Sequence, residues 1–296
     1  MVENLVNCVL CPHRCGVNRL KGELGRCKMN EKVKIALYSL HKYEEPCISG
    51  EKGSGTVFFT GCNLSCTYCQ NYKISQEHLG KEISVQKLAD IFLEQQKKGA
   101  ENINLVTPTM YVYHIIEALD IAKNKGLKVP IIYNSNGYEE VETLRLLEGY
   151  IDIYLPDFKY SVDKIGIKYS KVNNYFEIAT KAIKEMYRQV GSPVFDERGI
   201  IQKGVIIRHL ILPNYILNSK LVLNWINNNM DKNVYISLMA QYFPTYLAIN
   251  DVDISRKVSQ KEYDSIVKYL QTLKIEKGYI QDLEEDEEQY VPKFEL

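Results

Sequence analysis

Three thiols stand close together in Gly61-Cys62-Asn63-Leu64-Ser65-Cys66-Thr67-Tyr68-Cys69-Gln70-Asn71. The spacing C-x3-C-x2-C lets one short loop wrap several sulfurs around a metal centre. Three thiolates hold three irons of a cubane cluster and leave the fourth open, whereas a closed cubane or a structural zinc site takes four ligands. A loop offering three therefore reads as a centre meant to bind something further, with a structural zinc or closed-cluster loop as the other reading. The preceding run, Gly55-Thr56-Val57-Phe58-Phe59-Thr60-Gly61, is β-branched and aromatic and predicts a buried strand. The cysteines then leave the C-terminal end of a first strand, the end at which βα barrels build their active sites.

With Tyr68 just before its last cysteine, the motif resembles the signature of the radical S-adenosylmethionine (radical SAM) enzymes. The resemblance implies that Cys62, Cys66 and Cys69 ligate a 4Fe–4S cluster whose open iron is chelated by SAM, with Tyr68 in the cofactor-binding set. It also implies reductive cleavage of SAM to methionine and a 5′-deoxyadenosyl radical that abstracts hydrogen from a substrate. Reduced flavodoxin or ferredoxin is the implied electron donor.

SAM needs polar groups at the strand ends around the cluster. Thr107-Pro108-Thr109 follows the second strand, where the family usually has Gly-Gly-Glu. Hydroxyls of Thr107 and Thr109 and nearby carbonyls could accept from the SAM ammonium, or the stretch is an ordinary βα loop with a helix cap. Asn134 and Asn136 end the third strand. Asp157 and Lys159 end the fourth, and residues two apart on a strand share a face. This Asp-x-Lys pair resembles a SAM-contacting stretch of glycyl-radical activating enzymes; a surface ion pair is the bland alternative. Arg208 and His209 interrupt an apolar strand, so one faces the barrel interior and the other the helices. Arg208 resembles an arginine of activating enzymes, with the SAM carboxylate as its natural anionic partner. His209 reads as structural, and Gln241 and Tyr242 could face substrate.

The other cysteines form a second problem. Cys8, Cys11, Cys15 and Cys27 are four thiols within the first 27 residues, enough to close a metal site holding zinc or a second cluster. Their segment resembles the N-terminal extension of an uncharacterised radical SAM branch similar to pyruvate formate-lyase activating enzyme. Buried, unreactive cysteines are the alternative. Cys47 stands alone, as an extra ligand, a hydrogen-donating thiol or, more simply, a buried cysteine.

Around these motifs the elements alternate. Helical periods run from Ser84, from Tyr111 to Lys125, from Glu139 to Leu147, from Val172 to Val190, from Ser219 to Asn228 and from Gln260 to Leu273. Strands fall between them at Asn102–Val106, Val129–Asn134, Ile151–Leu155, Gly204–Leu212 and Val234–Leu238. Six strand–helix units predict a parallel sheet with right-handed crossovers. This is an α/β fold, an open (βα)6 partial barrel with a cysteine-rich N-terminal extension. The expected organisation is residues 1–50 for the extension, 51–245 for the core, and 246–296 for a C-terminal helix and acidic tail completing it. The run Asp282–Glu288 reads as a solvated tail.

Composition fits an ordinary globular protein: 296 residues, 45% hydrophobic and 25% charged, with 37 basic and 37 acidic side chains. Zero formal charge gives no global attraction to nucleic acid or an anionic membrane. No secretory signal and no membrane span is visible, and eight cysteines without one favour metal ligation over disulfides, so a cytoplasmic protein is expected. The expected function is a radical SAM enzyme, either activating a glycyl-radical partner or modifying a small molecule or peptide. A non-catalytic iron–sulfur or zinc protein is the rival.

Overall fold

Strands buried on both faces read as continuous apolar runs rather than alternating ones, and this chain carries several. The computed structural model describes residues 2–283 and 294; most of the acidic run, from Glu284 onward, lies outside the described residues. Among the described residues ten strands form one sheet: β1 (Val33–His41), β2 (Ser54–Phe59), β3 (Lys81–Ile83), β4 (Ile103–Val106), β5 (Ile131–Ser135), β6 (Ile153–Pro156), β7 (Val194–Phe195), β8 (Ile201–Leu210), β9 (Tyr235–Met239) and β10 (Lys277–Ile280). Their order is β10-β9-β8-β6-β5-β4-β2-β1-β3, with β7 paired on β8. From β2 to β10 the neighbours along this path are parallel, and β1 and β3 continue the sheet antiparallel. The two edge strands do not meet, so the barrel stays open.

The helices are α1 (Pro46–Ser49), α2 (Tyr72–Ser75), α3 (Val85–Lys97), α4 (Val112–Asn124), α5 (Val141–Leu146), α6 (Asp163–Ser170), α7 (Tyr175–Val190), α8 (Ile216–Asn229) and α9 (Gln260–Leu270). Ser84 caps α3 as its sequence predicts, accepting from the Lys87 amide at 3.1 Å. The six expected parallel strands are β2, β4, β5, β6, β8 and β9. A seventh, β10, joins the edge: with Gly278 in four residues it carries little strand signal of its own. The helix expected from Val172 starts at Tyr175 instead, because Lys171 and Asn174 both take left-handed backbone conformations (φ 57° and 54°). That break separates α6, a helix the periodicity did not reveal, from α7.

Two apolar layers result. Helices cover the outer face of the sheet, where α7 buries Ala179, Ala182, Ile183 and Met186. On the inner face, Cys47 and Ile48 of α1 pack against Ile132, Ile153, Leu155 and Ile206. The short helix thus plugs the lower half of the barrel and leaves the upper half, at the C-terminal strand ends, as a chamber. The N-terminal segment joins the outer core through Leu5, Leu10, Cys27 and Met29. It is anchored by the fully buried Arg19, which donates to the carbonyls of Asn30 and Met110 at 3.0 and 2.8 Å.

His209 points away from the chamber. Its Nδ1 lies 2.7 Å from the Phe158 carbonyl and its Nε2 lies 2.8 Å from the Ser219 hydroxyl, so a neutral ring satisfies both. Burial lowers its pKa to about 4, and burial does the same for His114. The unfolded chain binds these protons near pH 6.5, so stability falls as pH drops from about 6.5 to about 4 and levels off below. The expected loss is up to about 3 kcal/mol per histidine. Urea melts at a series of pH values measure it, and His209→Gln is expected to flatten the slope in that window.

Candidate active site

The loop between β2 and α2 carries Cys62, Cys66 and Cys69, and all three line a chamber of about 460 Å³. Its start is fixed by Gly61 at φ 87°, where a Cβ would come within 2.7 Å of the Met29 side chain and 3.2 Å of the Cys27 carbonyl. Further on, the amides of Ser65 and Thr67 donate to the carbonyls of Ser170 and Tyr169 at 3.0 and 2.8 Å, stitching the loop to the end of α6. Each sulfur has a polar neighbour. The Cys66 and Cys69 sulfurs lie 2.9 and 3.2 Å from the hydroxyls of Ser170 and Ser75, and Cys62 accepts from Asn136 Nδ2 at 3.4 Å. Tyr68 is buried, and its hydroxyl meets that of Tyr160 at 2.6 Å; Tyr160 in turn meets Ser170 at 2.7 Å.

Burial pushes all three thiols upward, Cys66 to about 11 against the opposing pull of Lys159. Thiolates here therefore need a cationic partner, and a metal cluster is the group that supplies one. Among the described residues no three His, Cys, Asp or Glu side chains converge on a point that one ion could occupy. Three thiols from one loop facing one chamber are the donor set that a cubane with one open iron takes, so the residues present fit a cluster.

Beside the thiols lies a charged network. Asp157 accepts from Lys159 at 2.6 Å and from Arg208 Nε at 3.0 Å. Arg208 also reaches Glu44 at 3.2 Å and Asn134 Oδ1 at 2.6 Å. Burial alone would raise Asp157, but Lys159 and Arg208 outweigh it and hold its carboxyl below the usual range. Glu44 and Glu45 are raised, because burial there exceeds the pull of Arg208. The buried arginine, expected to take SAM carboxylate as its anion, thus has two carboxylates of its own.

Thr107, Asn134, Asn136, Asp157, Lys159 and Arg208 line this chamber together with Tyr68 and the thiols. Thr107 does so in a left-handed conformation, φ 57°, a strained backbone for a β-branched residue. Thr109 points elsewhere: its hydroxyl donates to buried Glu139 at 2.7 Å and it lines a second, smaller cavity at the N-terminal cysteines. Gln241 lines the chamber, whereas the Tyr242 hydroxyl is spent on the Ile254 carbonyl at 2.6 Å. Cys47 lies in the plug, its thiol raised to about 11 by burial. Glu44, Glu45, Tyr160 and Ser170 are the site residues that sequence reasoning missed. A Glu-Glu pair before a Pro-initiated turn looks like a solvated loop, and nothing local reveals that the turn folds into the barrel.

A family model for the radical SAM superfamily matches residues 56–201, the stretch holding the cysteine loop and the strand ends up to β8. The chain belongs to the radical SAM superfamily. An uncharacterised protein of Methanocaldococcus jannaschii is 34% identical over 269 residues, covering 87% of this chain and 72% of that protein. Another from the same organism is 25% identical, and the chain spans 66% of its length. A candidate glycyl-radical enzyme activating enzyme, also of M. jannaschii, is 33% identical over 116 residues, which is 38% of this chain and 46% of that one. Among solved structures, the FeFe-hydrogenase maturase HydG of Carboxydothermus hydrogenoformans superposes with a TM-score of 0.53 at 14% identity. That superposition covers 77% of this radical SAM chain and 53% of the maturase, and shows the shared fold. Among the described residues no helix is long and apolar enough to cross a membrane.

Arg208→Met leaves the mostly buried Glu44 and Asp157 without their shared arginine, and a destabilisation of about 3–5 kcal/mol is expected. Glu44→Gln keeps the Asp157 partner and is expected to cost clearly less. Denaturant melts of the two variants check the order.

Proposed function

We propose that this radical SAM protein is a hydrogen-abstracting enzyme in which Cys62, Cys66 and Cys69 hold a 4Fe–4S cluster. SAM lies against Thr107, Asn134, Asn136, Asp157 and Lys159. The observation carrying the proposal is that three thiols from one loop and a charged network from three other strand ends face one chamber. When bound, cluster and SAM supply one-electron reductive cleavage of SAM and the hydrogen abstraction that follows.

The chain's own residues do the rest. Lys159 sets a positive charge near Cys66 and offsets the negative charge of a thiolate there. Asn136 orients Cys62 through its amide while donating to Asn63 Oδ1 at 2.7 Å, so one side chain braces both loop residues. The apolar plug of α1 closes the floor, and the buried Tyr68 and Tyr160 back the loop.

The partial likeness to a candidate glycyl-radical enzyme activating enzyme supports a glycyl-radical partner as the target, with reduced flavodoxin or ferredoxin as electron source. A second reading is favoured by one observation. Glu45 lines the chamber, is buried, and its Oε2 has no hydrogen-bond partner. An unpaired acceptor at the floor suits a small donor-bearing molecule, such as an amine.

Anaerobically reconstituted, reduced protein given SAM is expected to form 5′-deoxyadenosine, and Cys66→Ala is expected to form none. An intact cluster that neither responds to SAM nor cleaves it overturns the proposal. A peptide carrying a glycyl-radical segment that raises turnover and yields a carbon-radical EPR signal supports the partner reading. Stimulation by small amines that is lost in Glu45→Gln supports the other.

A further inference from the structure

The cysteine loop has a second group of thiols at its back. Cys8, Cys11, Cys15 and Cys27 all line one small cavity with Leu10 and Met110, a lining that is almost entirely apolar. The segment that carries them has no regular helix or strand at the cysteines. Its turns are set instead by left-handed residues, Arg14 and Lys28 at φ 42° and 59° and Gly16 at 67°. Backbone amides turn toward the sulfurs. The Arg26 amide donates to Cys15 at 3.3 Å, and those of His13 and Met29 face Cys11 and Cys27. Gly25 is required for this packing, since a Cβ there would meet the Cys15 sulfur at 2.8 Å. A buried apolar pocket does not need four thiols and their amide donors; a thiolate-bound centre does. The amide donors aimed at Cys11, Cys15 and Cys27 suit a thiolate-bound cluster, and zinc is the other metal that a four-thiol set takes.

Two bridges join this pocket to the loop. Two residues after Cys11, His13 Nε2 lies 2.7 Å from the carbonyl of Asn63, the neighbour of Cys62. One residue before Cys27, Arg26 donates to the hydroxyl of Ser65, the neighbour of Cys66, at 2.9 Å. The Cys27 carbonyl itself packs on Gly61. Cys15 is the one exposed thiol of the seven, whereas Cys62 and Cys69 are half-buried and Cys66 is buried. An electron carrier docking from solvent thus meets the N-terminal thiols first.

We propose that Cys8, Cys11, Cys15 and Cys27 hold a second iron–sulfur cluster that relays electrons from a protein donor to the cysteine loop. One electron enters from a reduced flavin or iron–sulfur carrier, which is oxidised by one electron. It reduces the N-terminal cluster and passes on through the His13 and Arg26 bridges, with no bond or proton changing place. The relay rests on the radical SAM reading of the loop; the cluster itself does not.

Two experiments test these halves separately. The variant Cys62→Ala/Cys66→Ala/Cys69→Ala, reconstituted anaerobically with iron and sulfide, is expected to retain about four irons per chain. It should also show the EPR signal of a reduced cluster after dithionite. Zinc in place of iron, or no metal in a folded chain by circular dichroism, overturns the second cluster whatever becomes of SAM chemistry. For the relay, His13→Leu/Arg26→Met keeps the four N-terminal and three loop thiols while removing both bridges. Reduction of the SAM-responsive cluster by reduced flavodoxin, followed by freeze-quench EPR, is expected to slow by about tenfold or more. Dithionite, small enough to enter the chamber directly, is expected to reduce both proteins at similar rates. Equal rates with flavodoxin, or equal slowing with both reductants, overturns the relay.

Discussion

The charge of Arg208 organises the interior of this protein. A guanidinium cannot shed its proton, so burying it obliges the fold to bring carboxylates to it. Asp157 comes from the end of β6, Glu44 from the segment before α1, and Asn134 from β5, each on a different group of the same side chain. The arginine therefore ties the strand ends to the plug beneath them. Lys159 completes the balance by sharing Asp157. Because these charges are paired with one another, the polar wall of the chamber stays ordered around Arg208.

The cysteine loop is held with comparable economy. Ser170 serves Cys66 and Tyr160 at once, and Tyr160 extends the chain to Tyr68, so the hydroxyls behind the loop form one connected line. In front, Asn136 braces Cys62; at the back, His13 and Arg26 grip Asn63 and Ser65, which lie between Cys62 and Cys66. A loop with little secondary structure of its own thus gains fixed sulfur positions from four separate segments. Fixed positions matter because a cluster bound by three thiolates has less protein restraint than one bound by four.

The plug explains the depth of the chamber. By filling the space between Ile132, Ile153 and Ile206, α1 confines polar chemistry to the C-terminal strand ends, where loops rather than strands decide what is bound. Its two leading acids become the floor. Glu45 lines the chamber there with one carboxylate oxygen that has no hydrogen-bond partner, and burial raises its pKa.

Much of this was legible beforehand. The C-x3-C-x2-C spacing, the six buried strands and the polar residues at their ends are local signals: sulfur spacing limits which centre a loop can hold, and strand burial dictates residue type. Asp157 and Lys159 were placed together because residues two apart on a strand share a face. The sequence could not show that Glu44 would meet Arg208 across 164 positions, nor that Thr109 would turn away from the chamber while Thr107 turned in. Nor could it show that four thiols near residue 8 would back onto three near residue 62. Those outcomes depend on how distant segments close over one another, which hydrophobic periodicity does not encode. Residue types and spacing determined the chemistry this chain can support. Only the tertiary structure decided which charges, hydroxyls and thiols share a space, because only packing sets which of them must satisfy each other out of water.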